Sequence, residues 1–292
     1  MYFSRVRLRP EFIQSSQLNR VLQDNVYGIH RLLHDLFASQ ERCFIFREEI
    51  ARQQLGYSKN VKGEPVYYLV SKTQPATDNP LFKVESKPYR PKLETGQILT
   101  FDCRVNPVVT KNGKKHDVVM NAQQDFLQTA VQALELQSSL PPHPKKSDYK
   151  KALLHAPYDK VNDYLTEKIQ HHPTYADLLQ QKISLKDKLN GAMLAHIDAH
   201  MQHWFARQGE PRPNAASYGF ELLDDNQGGR QFQVSAYQWH ALPEKGKTAG
   251  FSSVDLTGKL RVTDVAGFEQ ALFNGIGRSK AFGCGLLSVA KA

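Results

Sequence analysis

The hydrophobic period of this chain changes twice along its length, and that change limits the folds open to it. Residues 2–9, YFSRVRLR, alternate apolar and polar with a period of two, the pattern of a half-buried strand. CFIFRE (43–48), VYYLVS (66–71) and ILTFDCRVNP (98–107) read as further strands. Before the second strand, Leu22, Val26, Ile29, Leu33 and Leu36 recur at i, i+4, i+7, i+11 and i+14, one stripe of a helix over residues 20–37. The segment 73–97 is rich in proline and polar residues and reads as irregular. The period then becomes helical. DFLQTAVQALELQ (125–137) is followed by a break with three prolines, SSLPPHPKKSD (138–148), and by helical segments over 149–208, the last from Leu185 to Arg207. After GEPRPN (209–214) strand patterns return in SYGFELL, QFQVSAYQWH and FSSVDLTGKLRV. A short helix with Asp264 as its N-cap and Phe268, Leu272 and Phe273 inward leads to the closing run GIGRSKAFGCGLLSVA.

Strand, helix, strand, strand, strand on one side of a helical middle matches a split βαβ half without its second helix, and three strands, helix, strand on the other side is compatible with a second such half. The expected fold is α+β, with two tandem ferredoxin-like (RRM-like) domains. The first spans 1–110. The second spans 111–292 and is interrupted by a mainly helical insertion at about 121–210.

Composition removes several classes. Hydrophobic residues are 40% of the 292, enough for a sizeable core and too many for a disordered chain. No window of about 18 consecutive apolar residues exists, so no membrane-spanning helix is expected. The start, MYFSRVRLRP, has no apolar core of a secretory signal. Cys43, Cys103 and Cys284 lie far apart and make no CxxC pair, which points to a reducing, cytoplasmic location. The net charge is +9, and it is uneven. Residues 121–210 hold ten basic and ten acidic side chains, while residues 1–120 hold nineteen and twelve. A polyanion-binding face would therefore be built mainly by the N-terminal part.

Two local patterns carry chemistry. At about 100° per residue, the apolar stripe of the 20–37 helix leaves Tyr27, His30 and His34 roughly 80–140° away on one flank, with Arg31 near 180°. Tyr27 and His30, at i and i+3, can act on one small group. Imidazole suits proton transfer near neutral pH, a phenol can orient a phosphate or hydroxyl, and a guanidinium can offset transition-state charge. At the other end of the chain, Gly275, Gly277, Gly283 and Gly285 fall within eleven residues, with Arg278 and Lys280 among them. Glycine lets backbone N–H groups approach a phosphate, and equally serves a tight turn that needs positive φ. There is no GK[ST] of a Walker loop, and the helix-to-strand order is wrong for a Rossmann fingerprint.

The run GIGRSKAFGCGLLSVA resembles the glycine-rich signature of the repeat-associated RNA-binding proteins of CRISPR systems, and most of all the CasE family of CRISPR RNA-processing endoribonucleases. MYFSRVRL, VYGIHRLLHDLF and FDCRVNPVVTKNGKKHDVV are similar to that family's motifs and stand in its order. The resemblance covers roughly residues 1–120 and 215–292. It implies Tyr27 and His30 as the catalytic pair of a YxxH motif. It also implies RNA contacts by Arg31, Arg104, Lys111, Lys114, Lys115, Gly275, Gly277, Arg278, Lys280 and Gly283. Lys245 and Lys247, in PEKGK, resemble the family's basic hairpin that enters the groove of the repeat stem-loop. The implied reaction is metal-independent cutting of CRISPR precursor RNA within the repeat. The 2′-OH attacks, giving a 2′,3′-cyclic phosphate and a 5′-OH, and the guide stays in Cascade. The implied partners are the repeat hairpin RNA and other Cascade subunits, with no cofactor and no membrane. The alternatives are a non-catalytic hairpin-binding subunit of a CRISPR complex and an unrelated α+β protein with a basic face.

His196, His200 and His203 fall at i, i+4 and i+7 of the last long helix. Zinc would need a further ligand, no HExxH is present, and the three read as a polar helical face, so no metal is expected.

Overall fold

The computed structural model describes residues 1–13, 26–39, 41, 43–50, 65–211, 217–223, 232–242, 246 and 249–292, with backbone only for Ile13, Val26, Tyr27 and Ile50. These form two compact units, Met1–Pro107 with Ala206–Ala292, and Val108–Phe205.

The first unit begins with β1 (Tyr2–Leu8), α1 (Val26–His34), β2 (Phe44–Ile50), β3 (Pro65–Ser71) and β4 (Phe82–Pro88). The four strands make an antiparallel sheet in the order β2-β3-β1-β4. The period of two sends Phe44 and Phe46 to one face of β2, and Ile45 and Arg47 to the other. On the first face Ile29, Leu33 and Leu36 pack with Val6, Phe44, Phe46, Tyr67, Leu69 and Phe82. On the second face Ile45 and Val70 meet Phe3, Tyr89, Phe273 and Leu286, the last two from the C-terminal part of the chain. Both faces therefore carry apolar contacts, and Ile29, Leu33 and Leu36 of the predicted stripe are buried; Leu22 and the Val26 side chain lie outside the described residues.

After β5 (Ile98–Val105) the chain enters the second unit. A hairpin, β6 (Val108–Lys111) and β7 (Lys114–Asp117), turns at Asn112-Gly113, both with positive φ (50° and 73°), as a two-residue hairpin loop requires. Helices α2 (Val118–Ala133), α3 (Lys146–His155) and α4 (Tyr158–Ile169) follow, then α5 (Leu185–Gly209). Phe126, Leu127, Leu153, Leu165, Ile169, Leu189 and Met201 are buried within it. The unit starts at Val108, earlier than an insertion at 121. Likewise α2 starts at Val118, because Asp117 caps it: its Oδ1 accepts from the Met120 N–H at 2.8 Å.

The chain returns with β8 (Phe220–Leu222), β9 (Gln233–Ala241), β10 (Gly250–Val262), α6 (Val265–Asn274) and β11 (Leu287–Lys291). The second sheet runs β11-β5-β10-β8, with β9 also paired to β10. Numbering the strands of each half separately, and leaving out β9 and the β6–β7 hairpin, both sheets have the order 4-1-3-2, the ferredoxin-like arrangement. In the second half the helical unit stands between the first two strands. The expected cap of α6 is present, Asp264 Oδ2 accepting from the Gly267 N–H at 2.8 Å.

One expectation is corrected. From the sequence, 98–107 closes the first half and 73–97 is irregular. Instead β5 pairs with β10 and β11, in the second sheet, and β4 inside the proline-rich segment completes the first. β4 is an edge strand. Phe82 is buried and Val84 and Ser86 are half-buried, while Lys83, Glu85 and Lys87 are exposed, so the strand alternates but carries only two apolar residues on its inner face, between flanking prolines.

Among the described residues no helix is long and apolar enough to cross a membrane. All three cysteines are free and buried. Burial pushes the Cys284 thiol up to about 12 and raises Cys103 as well, and thiols react as thiolates. Ellman's reagent at pH 8 should therefore label none of the three quickly in the native chain and all three after unfolding in guanidinium. Fast labelling of a full equivalent in the native chain would contradict this packing.

Candidate active site

The flank of α1 beside its apolar stripe carries the polar groups singled out above. Arg31 is exposed, and His30 and His34 are half-buried. The His30 ring stacks on Phe44 with centroids 5.3 Å apart and lies 6.2 Å from the His34 ring. Phe44 and Phe46, on the strand face that packs under α1, thus form the floor on which both imidazoles rest. Tyr27 occupies the turn of α1 before His30, and its side chain lies outside the described residues.

The glycine-rich run closes against this same wall. A short 3-10 turn, Lys280–Phe282, packs on α1 and β2. Gly283 lies flat over the Phe46 ring, where a Cβ would stand 3.4 Å from the ring edge. The Phe282 ring stacks on Phe251 at 4.8 Å, and Phe251 on His240 at 4.6 Å, which joins the turn to β10 and β9. Burial, helped by the nearby Arg104 charge, pushes the His240 imidazole down and favours its neutral form. Arg278 is exposed and Lys280 half-buried on this loop.

The glycines serve the chain path first. Gly275 ends α6 at φ 73°, its N–H donating to the Ala271 carbonyl at 2.9 Å. Gly285, at φ 93°, donates to the Arg104 carbonyl and accepts from the Ile276 N–H at 2.9 Å. A Cβ there would lie 2.7 Å from the Ile276 oxygen. Only glycine fits both positions, and the result is a loop pinned to β5 on one side and to α1 and β2 on the other.

Charges hold the two halves together at this point. Arg47 on β2 has a side chain only 4% exposed, and its Nη1 donates to Asp102 Oδ1 on β5 at 2.7 Å. Arg104 on β5 makes a bidentate pair with its cross-strand partner Asp255 on β10, Nε to Oδ1 at 2.7 Å and Nη2 to Oδ2 at 2.9 Å. Its Nη1 also reaches back to the Glu48 carbonyl of β2 at 3.3 Å. The buried Tyr67 hydroxyl donates to Glu48 Oε1 at 3.4 Å, and burial raises the Glu48 carboxyl. Sequence reasoning missed Arg47, Asp102, Asp255 and Glu48. The signal for Arg47 was there: it shares the alternation phase of buried Ile45, which places a charge on an inward face.

The candidate residues therefore divide. His30, Gly275, Lys280 and Gly283 lie on α1, or on the glycine-rich run where it packs against α1 and β2, while Arg31, Gly277 and Arg278 belong to the same two segments, Arg31 and Arg278 being exposed. Arg104 sits behind that run with its guanidinium engaged by Asp255. Lys111, Lys114 and Lys115 are exposed on the β6–β7 hairpin of the helical unit. Lys245 and Lys247 lie outside the described residues.

Two ferredoxin-like sheets joined through a glycine loop, with a polar helix flank against that loop, define a tandem ferredoxin-like protein whose candidate site is built by both halves. The chain belongs to the CRISPR-associated protein family, whose model matches residues 1–291. It is similar to CRISPR endoribonuclease Cse3 bound to a 19-nucleotide RNA, at 20% identity and a TM-score of 0.54, covering 99% of this chain and 100% of that one. It is similar to Thermus thermophilus Cse3 bound to an RNA representing a pre-cleavage complex, at 18% identity and a TM-score of 0.55, covering 99% and 98%. A further CRISPR-associated protein from Thermus thermophilus matches at 20% identity and a TM-score of 0.51, over 99% and 100%. At these identities the likeness speaks for the fold. No curated protein matches.

Removing one partner of a buried ion pair strands the other charge, so the two ends of the Arg47–Asp102 pair should differ. Asp102→Ala should lower the unfolding free energy by about 2 kcal/mol, because Arg47 stays buried with only the more distant Glu49 carboxylate, 3.4 Å from its Nε, left to pair it. Arg47→Met should cost only about 1 kcal/mol, because Asp102, one-third exposed, regains water. Urea unfolding of both variants checks the order, and equal losses would count against it.

Proposed function

We propose that this chain is a metal-independent endoribonuclease that cuts CRISPR precursor RNA within the repeat hairpin and keeps the product as a guide inside Cascade. Supporting the RNA assignment are membership of the CRISPR-associated family and a fold like that of Cse3 solved with RNA. The observation that carries the chemistry is the packing of the cationic 3-10 turn at Lys280 directly on the α1 helix that bears His30. Acid–base groups and phosphate-binding cations then meet at one place.

In this reading the 2′-OH attacks the adjacent phosphorus while the P–O5′ bond breaks. His30 takes the 2′-OH proton or supplies one to the departing O5′. Tyr27 orients the phosphate or the hydroxyl. Arg31, Arg278 and Lys280 offset the charge that builds on the phosphorane oxygens. The products are a 2′,3′-cyclic phosphate and a 5′-OH. Lys111, Lys114, Lys115, Lys245 and Lys247 hold the backbone of the hairpin. Tyr237 and Trp239, exposed on β9 at 40% and 51%, offer stacking faces to unpaired bases.

One observation favours a second reading, a hairpin-holding subunit that does not cut: His30 Nε2 is shielded from solvent. The two readings part on one variant. His30→Ala should slow cutting of a hairpin repeat RNA in EDTA by about 10²–10⁴-fold, with affinity held within about twofold. Absence of cutting by the unmodified chain in both EDTA and Mg²⁺ would support the holding subunit. Cutting that needs Mg²⁺, or that survives His30→Ala, would overturn the mechanism.

A further inference from the structure

The helical unit holds a group of side chains to which the proposed cleavage chemistry gives no role. Read from sequence, His196, His200 and His203 are a polar face for want of another ligand. The fold supplies one from a different helix. Asp125 of α2, 71 residues from His196 in sequence, places its Oδ2 3.0 Å from His196 Nε2. His200, one turn further along α5, brings its ring centroid to 4.3 Å from that of His196. One ligand atom from each of Asp125, His196 and His200 lies within 4.8 Å of the other two, and among the described residues this is the group of three so placed.

We propose that Asp125, His196 and His200 bind one Zn²⁺ ion, which clips α2 to α5, with the fourth position left to water. Spacing, geometry and ligand chemistry support this. Two imidazoles at i and i+4 share one side of a helix and present two nitrogens to one point. Ligands at about 2.0–2.2 Å from a tetrahedral ion stand about 3.3 Å from each other, close to the Asp125–His196 separation, so only the His200 ring must shift by about an ångström. His200 Nδ1 donates to the His196 carbonyl at 3.0 Å, the kind of main-chain bond that fixes the ring and leaves the lone pair on Nε2. Two nitrogens and one carboxylate oxygen suit a borderline ion, while Mg²⁺ and Ca²⁺ prefer all-oxygen sets. His196 also lines a pocket of about 300 Å³ with Phe126, Tyr164, Lys168, His172 and Ala192, which leaves the open position reachable by water. His203, the third histidine of the sequence pattern, is not part of the group.

The test uses the full chain, stripped with EDTA, dialysed and titrated with zinc chloride by calorimetry, with bound metal counted by mass spectrometry. One equivalent should bind, and zinc should raise the melting temperature. His200→Ala and Asp125→Asn, both at exposed positions, should each weaken binding at least about tenfold and lose the thermal shift, with circular dichroism unchanged. His30→Ala should bind as the unmodified chain does, which separates this site from the histidines of α1. Binding that survives His200→Ala, or no binding at submillimolar zinc, overturns the proposal. Neither result bears on the RNA reading.

Discussion

A guanidinium that is almost wholly out of water must keep its anion, and Arg47 makes that requirement structural. It lies on β2, the edge strand of the first sheet, and its partner Asp102 lies on β5, inside the second. An edge strand needs its open side covered, and here the cover is the other half of the protein. Arg104 repeats the arrangement one pleat along, bound to Asp255 within its own sheet and donating to the Glu48 carbonyl of β2. One arginine reaches from each sheet to the other: Arg47 of β2 to the Asp102 carboxylate, and Arg104 of β5 to the Glu48 carbonyl. The apolar contacts of Ile45 and Val70 with Phe273 and Leu286 fill the space beside them.

The candidate site follows from that junction. Once β2 is fixed against β5, the chain leaving α6 has to turn in the narrow gap between them to reach β11. Gly275 and Gly285 make the turn possible, and its crest, Lys280–Phe282, lands on α1. The same β2 residues that floor α1, Phe44 and Phe46, carry the His30 ring on one side and the flat of Gly283 on the other. A cation-bearing loop and an imidazole-bearing helix flank meet because each half must bury its own sheet face.

Much of this was legible in the sequence. Alternation in YFSRVRLR and the stripe of Ile29, Leu33 and Leu36 were enough for β1 and α1, and α6 has the Asp264 cap that its sequence announces. The motifs that resemble the CasE family led to the family whose model matches the whole chain. What was not legible has physical causes. β4 is an edge strand whose alternation rests on Phe82 and Val84 alone, inside a proline-rich stretch. β5 has a strand pattern that is the same whichever sheet it joins, because pairing partners are a tertiary property. The Arg47–Asp102 pair joins residues 55 apart in sequence, and a lone charge in a strand does not name its partner. Asp125 could not be attached to His196 and His200 by spacing, since only the packing of α2 on α5 brings it there.

The account rests on the claim that the chain cuts RNA through the substrate's own 2′-hydroxyl. The most direct measurement is cleavage of a repeat hairpin carrying a single 2′-deoxy nucleotide immediately 5′ of the cut, followed beside the all-ribose hairpin in EDTA. The account predicts that the two bind alike, that the ribose substrate yields a 2′,3′-cyclic phosphate end, and that the deoxy substrate stays whole. Cutting of the deoxy hairpin at the normal rate would contradict it.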